Sequence, residues 1–280
     1  MKQIISLLPD AYAAQLDQKL LETAEEIRLA VGVPLWLRSG NAEKFLWPKM
    51  TQPQLERVLH AACQHSIYAY TETLRNGYIT LDSGHRVGVC GFGVVRNGEV
   101  LNIHTPSSML IRVAHEVPGC ASHLIDQLQG STLIIGPPGS GKTTLLRDCI
   151  RLLSDQKQMR IGIVDERGEI AACRNGVPQL EIGKRTDVMM NVPKADAMTM
   201  LLRTMSVQWI AVDEITSPQD CEVMEQASFC GVHLLATAHS TSMQELYARP
   251  LYRKLMERHI FSYVVTMEKD KTYHIEEVQN

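Results

Sequence analysis

The chain is poor in aromatic residues and carries no surplus charge of either sign. Phe, Trp and Tyr make up 5% of its 280 residues, and 28 basic side chains stand against 31 acidic ones, a net charge of −3. The balance holds along the chain, with 11 basic and 12 acidic residues up to position 130 and 17 and 19 after it. No global field therefore draws it to a polyanion, and no aromatic or basic tract offers a nucleic-acid strand a platform, so nucleic acid is not an expected partner. The seven cysteines form an odd set with no C-x-x-C pair, and the ten histidines do not cluster. This argues against a disulfide framework and a zinc site, and for a reducing compartment. No apolar run approaches the ~20 residues of a membrane-spanning helix, and Met1 to Pro9 is too short for a signal peptide. A cytoplasmic protein without direct membrane insertion is expected, meeting membranes through partners. There is also no repeat, no low-complexity segment and no guanine-reading N-K-x-D stretch.

Against these absences stands one octet, Gly136-Pro137-Pro138-Gly139-Ser140-Gly141-Lys142-Thr143. It matches the phosphate-binding loop G-x-x-x-x-G-K-[ST] at every fixed position. Ser131 to Ile135 reads as the strand before it, and Thr144 to Leu153 has the apolar spacing of the helix after it. Glycines let backbone N–H groups turn onto phosphate oxygens, and the helix N-terminus adds partial positive charge. Residues 136–144, Thr144 included, are the expected nucleotide-binding segment. Lys142 would reach the β- and γ-phosphates, and Thr143 would hold Mg²⁺.

A phosphate loop alone does not separate a hydrolase from a switch or a kinase. Trp209 to Val212 is an apolar strand that ends in Asp213-Glu214. The carboxyl ends of parallel strands are where ligands bind, so Asp213 would hold Mg²⁺ and Glu214 would act as general base on water. Ile161 to Val164 is a further strand, lying between the phosphate loop and the strand that ends in Asp213 (the Walker B strand), and it ends in Asp165-Glu166-Arg167. Such an inserted strand marks the additional-strand ATPases with RecA-like cores. Glu166 is a candidate second water-orienting carboxylate, with a salt-bridged structural role as the alternative. The strand His233 to Thr237 runs into His239, placed to sense the γ-phosphate, whereas His233 reads as structural.

The texture changes near Gly130. Before it, strands are expected at Val33–Arg38, Lys44–Trp47, Gly93–Val95, Val100–Ile103 and Ser108–Val113. A hairpin is expected through Asp82-Ser83-Gly84, and helices at Thr51–Ala62 and Pro118–Leu128. After it, Val232–Ala236 and Ile260–Thr266 add strands. Ser217-Pro218-Gln219-Asp220 opens one helix, and Ser242 with Glu245 opens another, running to about Arg258. Met189, Met190, Met198, Met200 and Met205 read as helix core. The fold class is α/β: a RecA-like P-loop ATPase core over residues 118–280, mainly parallel sheet with helices on both faces, preceded by a smaller α+β domain over residues 1–117.

Further segments carry a resemblance: Glu25 to Leu29, Gly77 to Thr80, Gly84 to Gly88, Ile111-Arg112, Val164 to Arg167, Arg185 to Val188, Pro193 to Ala195, Val212 to Ile215 and Gly231 to His239. With the loop, they make the chain resemble the stage III sporulation AA family of endospore-forming bacteria, relatives of the type II and type IV secretion ATPases. Ala30, Val207 and Ser240 stand where that pattern more often has a basic residue, a proline and a glycine. The resemblance implies an acidic box at 164–169 and a histidine box from Gly231 to His239. It implies ATP and Mg²⁺ as cofactors, and a homo-oligomeric, hexameric ring. It also implies docking in the mother cell on membrane proteins of a sporulation channel. A trans-acting arginine is then expected from among Arg86, Arg112, Arg167, Arg185 and Arg203. A nucleic-acid-dependent ATPase and a nucleotide-gated scaffold with negligible turnover are the competing classes.

Overall fold

The computed structural model describes residues 2–16, 18–40, 42–81 and 84–278. The chain divides into two compact units, Met1–His115 and Glu116–Asn280.

In the first unit, short helices α1 (Lys2–Leu7), α2 (Asp10–Ala13) and α3 (Gln18–Thr23) precede strands β1 (Glu26–Ala30), β2 (Pro34–Ser39) and β3 (Ala42–Lys49). Helix α4 (Gln52–Ala62), a 3₁₀ turn (Ile67–Tyr70) and α5 (Thr71–Arg75) lead to β4 (Tyr78–Thr80), β5 (Arg86–Arg96) and β6 (Glu99–Arg112). The strands form one antiparallel sheet in the order β3-β2-β1-β6-β5-β4. Period-2 alternation puts Ile27, Leu29, Leu35, Leu37, Val87 and Ile111 into a core shared with Tyr12, Leu55 and Leu59 of the helices. Thr51 caps α4 in a capping box with Gln54.

Four short strands expected between His85 and Val113 are two long ones here, joined at Asn97 (φ 53°) and Gly98 (φ 82°), the left-handed pair a tight hairpin takes. Register shifts at Gly91 bend the pair without breaking it; a Cβ there would lie 2.7 Å from the His104 carbonyl. The expected turn at Asp82-Ser83 lies outside the described residues.

The second unit contains α6 (Ser122–Ile125), β7 (Thr132–Ile135), α7 (Lys142–Asp155), β8 (Ile161–Asp165), β9 (Thr186–Met190) and α8 (Lys194–Thr204). It continues with β10 (Trp209–Val212), α9 (Pro218–Phe229), β11 (His233–Ala238), α10 (Met243–Ala248), α11 (Pro250–Glu257), β12 (Tyr263–Met267) and β13 (Tyr273–Glu277). Its sheet runs β13-β12-β7-β11-β10-β8-β9, parallel throughout except for β13. Both faces are buried: Leu133 and Ile135 enter one core, Ile134 the other. Each such side chain contributes about 1.5–3 kcal/mol.

Several expectations change. The strand that separates β7 from β10 in the sheet is β11; β8 lies beyond β10. Sequence order does not give sheet order when parallel strands are joined by crossovers. The helix expected over Pro118–Leu128 shrinks to α6, because Gly119 turns left-handed at φ 90° and the Ala121 N–H is taken by Asp148 Oδ2 at 2.8 Å. The helix expected to reach Arg258 breaks at Arg249, whose extended backbone is what a following Pro250 favours. Met198 is core, but Met189 and Met190 lie on β9, and Met200 and Met205 are exposed.

Candidate nucleotide site

The loop 136–141 links β7 to α7 at the carboxyl end of the parallel sheet. Gly141 caps α7 in the left-handed region at φ 97°, so a side chain there would be strained. Lys142 is the first residue of α7, and its ammonium is buried. Nζ donates to the carbonyls of Gly136 (2.9 Å) and Pro137 (3.0 Å), and it meets His239 Nδ1 at 3.2 Å. Burial pulls the ammonium below the usual lysine range, against the charges of Asp213 and Glu214.

Strand β10 delivers the carboxylates. Thr143 Oγ1 donates to Asp213 Oδ2 at 3.0 Å, and Thr237 Oγ1 donates to Oδ1 at 2.6 Å. Burial pushes the Asp213 carboxyl up, while the two hydroxyls hold it down. A desolvated carboxylate beside the Thr143 hydroxyl is an all-oxygen donor set that suits Mg²⁺. The Glu214 N–H donates to Thr237 Oγ1 at 2.8 Å, so one hydroxyl fixes both carboxylate residues. Glu214 sits at φ 56°, left-handed for a non-glycine, at a cost of about 1 kcal/mol or more. Its Oε2 accepts from Arg167 Nη1 at 3.1 Å, and its Oε1 faces His239 Nε2 at 3.5 Å. With Lys142 donating to Nδ1, the neutral ring carries its hydrogen on Nε2, toward Glu214.

The segment after β8 is built on Asp165. Its buried carboxylate accepts the backbone N–H groups of Glu169, Ile170, Ala171 and Ala172. From α7, Arg147 donates to the carbonyls of Ile170 (2.6 Å) and Glu169 (2.7 Å). Glu166 Oε2 accepts from Lys194 Nζ at 2.7 Å.

Lys142, Thr143, Asp213, Glu214, His239 and Arg167 thus form one contiguous group, and Glu166 lines a cavity with Asp213 and Glu214. Arg185 is exposed before β9, and Arg203 is exposed in the last turn of α8. In the first unit, Arg112 lies 4.0 Å from Glu26, and Arg86 is centred 4.0 Å over the Tyr78 ring. Sequence reasoning missed Thr237, Asp165 and Lys194. The β10–β11 register, with Val212 opposite Ala236, is what sets Thr237 beside Asp213. His233, by contrast, packs against Trp209 with ring centroids 4.9 Å apart.

A phosphate loop on β7, a hydroxyl–carboxylate contact to β10 and an intervening β11 define a RecA-like P-loop core of the kind found in secretion ATPases. Solved structures agree. The ATPase DotB of Yersinia pseudotuberculosis superimposes with a TM-score of 0.62 at 15% identity, over 94% of this chain and 78% of that one. The pilus retraction motor PilT with bound ADP superimposes with a TM-score of 0.60 at 18% identity, over 94% and 82%. The chain belongs to the family described as "Sporulation stage III, protein AA", whose model matches residues 2–279. It is 36% identical to stage III sporulation protein AA of Bacillus subtilis (strain 168) over 283 aligned positions, 97% of this chain and 92% of that protein. Among the described residues no helix is long and apolar enough to cross a membrane.

Proposed function

We propose that this chain hydrolyses Mg-ATP as a secretion-ATPase-type motor, working as a hexameric ring on membrane proteins of a sporulation channel from the mother-cell cytoplasm. The observation that carries the hydrolytic reading is the 3.0 Å bond from Thr143 to Asp213, with Glu214 next in the chain. Backbone N–H groups of residues 136–144 and the N-terminus of α7 receive the phosphates. Lys142 exchanges the Gly136 and Pro137 carbonyls for phosphate oxygens. Thr143 and Asp213 would hold Mg²⁺, which would supply Lewis-acid neutralisation of charge developing on the triphosphate. Glu214 takes a proton from the water that attacks the γ-phosphorus, the bond to the bridging oxygen breaks, and the electron pair leaves with ADP. His239 reports to Glu214 whether Lys142 is engaged. Arg86, Arg112, Arg167, Arg185 and Arg203 are the arginines from which a neighbouring subunit would complete the site. The family membership and the motor named PilT support the coupling of turnover to mechanical work.

The test is Glu214→Gln with Mg-ATP. Nucleotide binding is expected to persist, with turnover lower by on the order of 100-fold or more. Turnover equal to the wild type would overturn the general-base assignment. Mass photometry of the same variant with Mg-ATP should show a hexamer, and a strict monomer at high concentration would remove the ring.

A further inference from the structure

We propose that Lys194 is a positioning residue of this site: its ammonium turns Glu166 from a candidate water-orienting carboxylate into an anchor for the segment that carries Glu214. The inference rests on the reading of Asp213 and Glu214 as the hydrolytic pair.

A lysine at this place needs a reason. Lys194 is the first residue of α8, behind a Pro193 cap that makes no side-chain bond, so its charge opposes the helix dipole. It is 6% exposed, and an ammonium withdrawn from water is destabilising unless it is paired. The pairing is specific. Nζ donates to Glu166 Oε2 at 2.7 Å and to Thr216 Oγ1 at 3.4 Å. Thr216 follows Glu214 by two residues, and its N–H donates to Asp220 Oδ2 at 3.1 Å. One ammonium therefore ties the acidic segment after β8 to the turn after β10.

The cavity beside it is lined by Asp165, Glu166, Glu169, Lys194, Asp213 and Glu214 as well as Arg167. The carboxylates of Asp165, Asp213 and Glu214 there are committed. Asp165 holds four backbone N–H groups, Asp213 takes two hydroxyls, and Glu214 faces Arg167 and His239. Consecutive residues are thus clamped in opposite directions: Glu166 to α8, Arg167 to Glu214. Glu166 is 37% exposed and Lys194 far less, so losing the carboxylate strands a buried cation, whereas losing the cation leaves a partly wetted anion.

That asymmetry gives the experiment, run on the full chain as Lys194→Met, Lys194→Arg, Glu166→Ala and the double variant Lys194→Met/Glu166→Ala. Melting temperature should fall further for Glu166→Ala than for Lys194→Met, and the double variant should recover part of that loss. In Mg-ATP turnover, Lys194→Met should lower kcat by on the order of 100-fold with KM nearly unchanged, as misplacement of a reacting group does. Lys194→Arg should restore most of it. If Lys194→Met keeps wild-type kcat, or Glu166→Ala stops turnover without moving the melting temperature, Glu166 acts directly and the proposal fails. A wild-type chain that binds Mg-ATP without hydrolysing it would remove the hydrolytic reading alone. The proposal would then stand or fall on the melting order and its recovery.

Discussion

His239 Nδ1 lies 3.2 Å from Lys142 Nζ, so the lysine of the phosphate loop and the residue facing Glu214 are in direct contact. The same ring presents Nε2 to Glu214 at 3.5 Å. A phosphate oxygen that takes Lys142 frees an imidazole lone pair and changes what Glu214 faces. His239→Ala is expected to bind nucleotide about as well as wild type, because the Lys142 ammonium and the loop N–H groups that receive the phosphates remain. Its kcat should drop by on the order of tenfold or more, since the link to the base is gone. Steady-state ATPase kinetics with a separate binding titration check this; a rise in KM at unchanged kcat would place His239 in binding alone.

Asp165 ends a buried strand beside Asp213 and Glu214, yet its geometry is that of a scaffold. Its carboxylate oxygens accept the four successive backbone N–H groups of residues 169–172. Asp165→Ala should lower the stability of the second unit by about 3 kcal/mol or more, because buried donors lose a charged acceptor. Asp165→Asn, which keeps one carbonyl oxygen, should lose less. Urea unfolding followed by Trp209 fluorescence, with Trp36 and Trp47 replaced by Phe in every variant compared, reads both.

These two residues show where the sequence was legible. The loop, Asp213-Glu214 and His239 sit at strand ends, where local pattern and the rule for parallel sheets suffice. Asp165 has the same local signature, and only the path of residues 166–172 back over it separates support from chemistry. Thr237 and Lys194 act across strands and helices, through a register and a crossover that no local spacing encodes. In the fold, buried all-apolar strands were readable, whereas β9 and β13 were not: β9 is half-buried along its length, and β13 is a largely exposed antiparallel edge. β1 alternates in its first four residues, with Ile27 and Leu29 buried on either side of an exposed Arg28.

Gly136 makes a different kind of prediction. A Cβ there would stand 2.7 Å from both the Met267 carbonyl and Ser140 Oγ, and 3.1 Å from Met267 Cβ. Met267 closes β12 beside the loop strand, so its backbone does not yield easily. Gly136→Ala should therefore push the loop outward and weaken nucleotide binding by about tenfold or more, with a stability loss of about 1–3 kcal/mol from overpacking. Isothermal titration with a non-hydrolysable ATP analogue tests it, and wild-type affinity would show that the loop accommodates the methyl group.

The first unit carries its own pH dependence in His85. The ring is 2% exposed, and Nδ1 accepts the Ala114 N–H at 3.0 Å. Nε2 is buried with no partner among the described residues. Burial lowers its pKa from 6.5 to about 4, helped by the charge of His115. The folded state thus favours the neutral ring, and below pH 6.5 the unfolded chain binds a proton that the folded one resists. The contribution to stability is complete above about pH 6.5 and is lost as the pH falls toward 4, to a total of about 3 kcal/mol. A His85→Leu variant removes the titrating group at the cost of the Ala114 bond. It should be less stable than wild type at pH 7.5 but should show a flatter decline between pH 6.5 and pH 4.5. Urea denaturation at those pH values measures the slope, and an unchanged slope in the variant would move the acid sensitivity to another group.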